Sequence, residues 1–145
     1  MLNQQSLSEY QVVVADDNPD HRYLLKSALT RIGVPEPMTF SNGLEVITHV
    51  KAAEYKPHLV FIDLNMPIKD GFDVLTALKS DPESKAIPVI VTTSSEEPND
   101  VSECYRLGAN SYIVKPLNSK EFSEKVHSVA MYWLKVTSIP MQRPR

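Results

Sequence analysis

The chain alternates short apolar runs with longer segments in which apolar residues recur at helical spacing. Three of the short runs are apolar throughout instead of alternating with polar residues, which is typical of strands that are buried on both faces. The pattern predicts five strands, over residues 10–16, 36–40, 58–63, 87–93 and 110–115.

A predicted helix follows each strand. In the first, over residues 18–33, Pro19 suits the opening turn and Gly33 ends the pattern. The others are predicted from about 43 to 53, from about 72 to 80, around Val101, Cys104 and Tyr105, and from 119 to 134. Strands and helices in alternation form a parallel sheet with right-handed crossovers. We therefore predict one α/β domain over residues 10–134, with a lead of residues 1–9 and a tail of residues 135–145.

Composition narrows the class of protein. The 145 residues are 42% hydrophobic and 23% charged, with a net charge of -3 and no block of Lys or Arg, so nucleic acid is not an expected partner. Cys104 is the single cysteine, which excludes an internal disulfide and a thiolate zinc cluster. The sequence begins without a signal peptide and has no apolar stretch of membrane-spanning length, so we predict a cytoplasmic protein without a membrane partner.

Polar side chains stand where four of the predicted strands end. They are Asp16 and Asp17, Asp63, the pair Thr92 and Thr93, and Lys115. Because the carboxyl ends of parallel strands meet at one edge of a sheet, we expect these groups to converge there. Three clustered carboxylates repel one another, and Mg²⁺ suits them because it accepts few carboxylates, keeps waters and binds phosphate oxygens.

This convergence predicts phosphoryl chemistry. An aspartate held beside a cation can attack phosphorus and form an aspartyl phosphate, while Lys115 and the hydroxyl of Thr93 bind the oxygens of the transferred group. Each residue alone has a plainer interpretation. Asp16 and Asp17 can cap a helix, Lys115 can be a solvated lysine, and Thr93 and Tyr112 can be ordinary strand residues.

Four segments in order, "VADDN", "IDLNMPIKDG", "PVIVTTSS" and "GANSYIVKP", resemble the signature blocks of response-regulator receiver domains. The resemblance implies a flavodoxin-like, doubly wound (βα)5 fold with strand order 2-1-3-4-5. It also implies that Asp63 is the phosphoacceptor and that Mg²⁺ or Mn²⁺ binds at Asp17, Asp63 and the backbone carbonyl of Asn65, with Asp16 completing the acidic pair. The further roles it implies are a switch hydroxyl at Thr93, a switch aromatic at Tyr112, a phosphate-pairing Lys115 and a cis peptide before Pro116. One departure is Ser94, where many relatives have alanine.

The fifth helix and the segment after it suggest the output. Phe122, Val126, Val129 and Trp133 are predicted to face inward. We expect Met131, Tyr132 and Leu134 to form a dimer or partner surface; alternatively, the tail folds back over them. The "YWLKVTSIP" segment resembles the extension of cyanobacterial phytochrome response regulators, which implies a light-sensing histidine kinase such as a bacteriophytochrome as partner, and a homodimer.

The predicted function is that of a stand-alone response regulator, with no effector domain attached, that catalyses only its own phosphorylation and dephosphorylation. Two alternatives are a phosphorelay shuttle to a histidine phosphotransfer protein and a phosphorylation-independent scaffold. A third is a phosphatase with an aspartyl nucleophile, which Asn65 disfavours because such enzymes usually carry a second acid at that position.

Overall fold

The computed structural model describes residues 6–140. Their five strands form one parallel sheet in the order β2-β1-β3-β4-β5, which confirms the predicted fold. The strands are β1 (Val12–Ala15), β2 (Met38–Phe40), β3 (Leu59–Ile62), β4 (Val89–Thr93) and β5 (Ser111–Val114).

A helix follows each strand, so every connection between strands is a crossover over a face of the sheet. The helices are α1 (Pro19–Arg31), α2 (Gly43–Ala52), α3 (Gly71–Ser80), α4 (Pro98–Arg106) and α5 (Ser119–Met131). Four of them begin at a capping side chain that accepts hydrogen bonds from backbone N–H groups of the first turn: Asn18, Asn42, Asp70 and Asn118. No helix within residues 6–140 combines the length and the apolar character needed to cross a membrane.

The sheet separates two apolar clusters, because alternate side chains of each strand point to opposite faces. On β3, Val60 and Ile62 belong to the cluster with α2 and α3, whereas Leu59 and Phe61 belong to the cluster with α1 and α5. All residues of β1, β3 and β4 are buried. This burial on both faces explains why β1 and β3 are apolar throughout and why β4 is apolar up to Thr92.

The end of α5 differs from the prediction. The residues fully buried along the inner face are Phe122, Val126, Ala130 and Leu134, while Val129 and Trp133 are only partly buried. After Met131 the helix widens into a π turn over Tyr132–Val136, which changes the rotation per residue and places Leu134 over the inner face. The assignment of Leu134 to an interaction surface is therefore wrong, because its side chain is in the core.

The segments on either side of the predicted domain also pack against it. Leu7, in a short 3-10 helix over Leu7–Glu9, and Ile139, beyond the π turn, both contact the cluster between the sheet and the α1 and α5 helices. The fold-back of Ile139 is consistent with the alternative considered for the tail. Val136 nevertheless remains half exposed.

Candidate functional site

Strand register brings the three carboxylates together. Ala15 of β1 pairs with Ile62 of β3, and the next residue on each strand is an aspartate. The backbone N–H of Asp63 donates to the carbonyl of Ala15 at 3.0 Å, which holds the two strand ends side by side. Asp16, Asp17 and Asp63 each offer a carboxylate oxygen within 4.8 Å of the others.

Lys115 reaches the same cluster from the end of β5. Its ammonium Nζ lies 2.7 Å from Oδ2 of Asp16 and 3.1 Å from Oδ2 of Asp63. The backbone N–H of Lys115 donates to the carbonyl of Thr93 at 2.8 Å, so the lysine is tied to the end of β4 as well. The structure thus joins, in one contact network, residues that are separated by up to 99 positions in the sequence.

The charged groups of this cluster are largely removed from water. Asp16 is 0% exposed, Asp63 6% and Lys115 8%, whereas Asp17 is exposed. Burial raises the pKa of the Asp16 carboxyl above its ordinary value, because water no longer stabilises the ionised form. The hydrogen bond from Lys115 and the N–H of Asn18 act in the opposite direction. The buried carboxylate therefore depends on positive charge nearby.

The donor set of the cluster fits a hard divalent cation. Three carboxylates carry more negative charge than one lysine neutralises, and carboxylate oxygens are the ligands that Mg²⁺ and Mn²⁺ accept. The exposed Asp17 leaves one side open to water, which Mg²⁺ usually retains. Asn65, two residues after Asp63, is also exposed.

The loop after β3 explains the glycine of the "NMPIKDG" segment. The N–H of Gly71 donates to the carbonyl of Leu64 at 2.9 Å, so α3 begins directly against the backbone that follows Asp63. A Cβ atom at position 71 would lie 2.6 Å from the carbonyl oxygen of Asp63. Only glycine permits this approach, which fixes the backbone beside the carboxylate.

A chain of hydrogen bonds leads from the end of β4 to α4. The hydroxyl Oγ1 of Thr93 accepts from the N–H of Ser95 at 3.3 Å, and the carbonyl of Ser95 accepts from the Tyr112 hydroxyl at 2.9 Å. The hydroxyl of Ser95 donates to Oδ2 of Asp100 in α4 at 2.6 Å. Burial is the main cause that raises the pKa of the Tyr112 hydroxyl, which stays protonated and able to donate. Ser95 therefore connects the predicted switch residues to one another and to α4.

The two threonines of the predicted hydroxyl pair have different surroundings. Thr92 and Thr93 are both fully buried, but Oγ1 of Thr92 has no hydrogen bond partner among the described residues. Consecutive strand residues point to opposite faces, so the pair does not act as a unit. Ser94, the departure from the family pattern, is exposed.

The peptide bond between Lys115 and Pro116 is trans, as is every other peptide bond in the described chain. The predicted cis isomer is therefore wrong. The trans form is intrinsically favoured before proline, by about 0.5–1 kcal/mol. In this conformation Lys115 already reaches both Asp16 and Asp63.

Two residues of α1 belong to the site although the sequence analysis assigned them no role. His21 lies with Nδ1 2.9 Å from the ammonium of Lys115, and Arg22 donates from Nη1 to the carbonyl of Asp16 at 2.7 Å. The available signal was the helix start: with Asn18 as the capping residue, residues 21 and 22 lie within one turn of the acidic pair. The four histidines have no metal-ligand spacing along the sequence, so their pattern does not indicate a role for His21.

The remaining interface candidates lie on α5 and the turn after it. Met131 is partly buried, and Tyr132 is 51% exposed and packs edge-on against Trp133. Trp133 donates from Nε1 to the hydroxyl of Ser111 at 3.3 Å, which attaches this segment to the start of β5. Tyr132 is thus presented on a fixed part of the surface.

Comparison with known proteins gives consistent matches. The family model described as the response regulator receiver domain matches residues 12–127. Response regulator Rcp1 of Synechocystis sp. is 32% identical over 134 residues, which cover 89% of this chain and 91% of that protein. The crystal structure of the phosphorylated cyanobacterial phytochrome response regulator RcpA superposes with a TM-score of 0.85 at 31% identity, over 91% of this chain and 99% of that one. The Mn²⁺-bound form of Rcp1 gives a TM-score of 0.83 at 30% identity, over 90% and 99%.

Proposed function

Because the chain belongs to the response regulator receiver domain family, we propose that it is a cytoplasmic response regulator that accepts a phosphoryl group on Asp63. The observation that carries this proposal is the contact network of Asp16, Asp63 and Lys115, with Asp17 beside it. In that network a carboxylate lies next to the positive charge that a transferred phosphoryl group needs.

The proposed reaction is one displacement at phosphorus. A carboxylate oxygen of Asp63 forms the new O–P bond as the bond from phosphorus to the donor breaks, and the departing group takes the electron pair of that bond and then a proton from water. No general base is required, since a carboxylate attacks in its ionised form. Lys115, 3.1 Å from Oδ2 of Asp63, is placed to bind a phosphoryl oxygen.

Asp16, Asp17 and Asp63 are the side chains that would hold Mg²⁺ or Mn²⁺, with the backbone carbonyl of Asn65 as the further predicted ligand. A divalent cation at this position supplies positive charge to the oxygens of the transferred group. Lys115 contributes a second charge, and the buried Asp16 carboxylate, 2.7 Å away, holds the ammonium in the site.

The proposed output is a change of surface on α4, β5 and α5. A hydrogen bond from the Thr93 hydroxyl to the new phosphoryl oxygens would disturb the bond that Ser95 makes to Thr93, and Ser95 also contacts Tyr112 and Asp100. In this proposal the α4–β5–α5 surface has two arrangements, and a new charge at Asp63 shifts the equilibrium between them. Such a shift is the usual basis of switches of this kind.

The proposed partner is a sensor histidine kinase, and a kinase of the phytochrome type is the specific candidate. The similarity to RcpA, a cyanobacterial phytochrome response regulator, supports this candidate. We further propose that a surface containing Tyr132 and Met131 forms a homodimer or partner contact. A histidine phosphotransfer protein is the alternative recipient of the phosphoryl group.

The proposal is tested by incubating the protein with acetyl phosphate and Mg²⁺ and following the aspartyl phosphate on phosphate-affinity gels. We expect Asp63→Asn to abolish the modification and Glu54→Gln, which changes an exposed carboxylate outside the site, to leave it intact. Chelation of the cation should also prevent the reaction. Equal modification of Asp63→Asn and the unaltered protein would contradict the proposal.

A further inference from the structure

The ammonium group of Lys115 has an acceptor for each of its three N–H bonds. The acceptors are Oδ2 of Asp16 at 2.7 Å, Oδ2 of Asp63 at 3.1 Å and Nδ1 of His21 at 2.9 Å. A lysine ammonium has three donors, so these contacts use all of them. The orientation of the ammonium is therefore set by three different elements of the fold.

The contact with Lys115 gives Nδ1 of His21 a definite role. Because an ammonium group only donates, Nδ1 is the acceptor in this hydrogen bond. Two further contacts place the residue: its backbone N–H donates to Oδ1 of Asn18 at 3.2 Å, which fixes it in the first turn of α1, and its ring packs against Phe122 with centroids 6.0 Å apart. The helix cap and α5 thus place this acceptor.

The three acceptors act differently on Lys115. The carboxylates of Asp16 and Asp63 attract the ammonium from inside the site. His21 lies at the outer side, with 34% of its side chain exposed, and supplies a nitrogen acceptor that directs one N–H of the ammonium. A water molecule there would supply an acceptor without a fixed position.

We propose that His21 is a positioning residue for phosphorylation of Asp63: its Nδ1 accepts one N–H of the Lys115 ammonium, so that another N–H of the same ammonium points at the Asp63 carboxylate. The expected effect on phosphorylation rests on the proposed function, whereas the contact between His21 and Lys115 can be tested without it. When a charged group is already held in its reactive orientation, less entropy is lost in ordering it during each reaction.

Two substitutions separate the acceptor from the ring. His21→Phe keeps an aromatic ring that can pack against Phe122 and removes the acceptor. His21→Asn removes the ring and keeps an acceptor, because Oδ1 of asparagine is bonded to Cγ, as Nδ1 of histidine is. From the usual net strength of one hydrogen bond, we expect His21→Phe to slow phosphorylation by acetyl phosphate about two- to tenfold, and His21→Asn to restore most of the rate. His21→Leu is a second acceptor-free variant in case the phenylalanine distorts the site.

A second measurement does not depend on phosphorylation. In ¹⁵N-labelled protein, the Lys115 ammonium should be ordered in the unaltered protein and in His21→Asn, and more mobile, with faster hydrogen exchange, in His21→Phe. If the unaltered protein accepts no phosphoryl group, the proposed function fails, and this measurement still decides whether His21 positions Lys115.

The outcomes that overturn the inference are specific. Equal phosphorylation rates and equal Lys115 order in His21→Phe and the unaltered protein would show that the acceptor does nothing. Equal slowing in His21→Phe and His21→Asn would show that an acceptor on Cγ does not restore the rate, which would overturn the assignment of the effect to Nδ1. Slowing confined to the acceptor-free variants, together with a mobile Lys115, supports it.

Discussion

The buried carboxylate of Asp16 illustrates how single residues in the site are balanced. It is fully buried, its pKa is raised mainly by burial, and its Oδ2 accepts from Lys115 at 2.7 Å. A raised pKa means that the folded protein binds this proton more tightly than the unfolded chain does. Without a cation, the ionised form of Asp16 therefore costs folding free energy.

We predict two opposite effects of Asp16→Asn. In the absence of divalent cations, the stability of the unaltered protein should fall as the pH rises from the ordinary aspartate range through the raised pKa, and the variant should lack that decline. The affinity of the Asp16→Asn variant for Mg²⁺ should be about tenfold lower or weaker still, because one negative charge at the cation site is lost. Urea unfolding at several pH values and calorimetric titration with Mg²⁺ measure both. An unchanged pH profile would contradict the electrostatic account.

Thr92 and Thr93 form a natural matched pair. Thr93→Val removes the acceptor for the N–H of Ser95, so the Ser95 amide resonance should no longer respond when Asp63 is phosphorylated. Thr92→Val removes a buried hydroxyl that has no partner in the described chain, and it should leave that response intact and raise stability by up to about 1 kcal/mol. Loss of the response in both variants would show that the route through Ser95 is not specific to Thr93.

How much of the site was predictable depends on where each residue stands. Asp16, Asp63 and Lys115 follow strands directly, so strand order alone placed them at one edge of the sheet. Strand order does not give the roles of His21 and Ser95, because these depend on side-chain directions in a helix and a loop; the cap at Asn18 indicated only that residue 21 lies near the acidic pair. The cis peptide before Pro116 was inferred from resemblance and is wrong for this structure.

At the scale of elements, the end of α5 shows where periodicity is insufficient. A regular helix continued past Met131 was expected to expose Leu134, but the π turn over Tyr132–Val136 places that residue in the core. The strands were predictable mainly from short apolar runs, and the five main helices from apolar residues at helical spacing, with a capping side chain at four of the five. A change of helix type within a continuous helical run leaves no such signal.

The π turn gives a stability prediction. Leu134→Ala should lower the free energy of unfolding by about 2–5 kcal/mol, because it leaves a cavity against the cluster of α1 and α5. Tyr132→Ala, which truncates a half-exposed side chain two residues earlier, should cost much less. Urea unfolding followed by the fluorescence of Trp133 compares the two. Equal losses would indicate that Leu134 is not in the core.

At the scale of the whole molecule, the fold separates the proposed phosphorylation site from the proposed output surface. The carboxylates lie where β1 and β3 end, whereas Tyr132 lies beyond the C-terminal end of α5. The β4–α4 loop and β5 connect these regions through Ser95 and Tyr112. This arrangement allows one domain to accept a charge at one edge and change its contacts elsewhere.

The dimer is the prediction that belongs to this scale. Sedimentation at micromolar concentration should show a dimer, and Tyr132→Ala should shift it towards monomer if the proposed surface is correct. Tyr23→Ala is the matched control, because Tyr23 is a 68% exposed tyrosine on a different helix, α1. A monomer with and without a phosphate mimic, or equal effects of the two substitutions, would exclude this interface.

Peptide mapping of the trapped phosphoryl group tests the central claim most directly. The protein is incubated with acetyl phosphate and Mg²⁺, the acyl phosphate is reduced with borohydride, and the residue converted to homoserine is located by tandem mass spectrometry. The account predicts conversion at position 63, with Asp16 and Asp17 unchanged. Homoserine at another position, or none in protein that binds Mg²⁺ and remains folded, would contradict it.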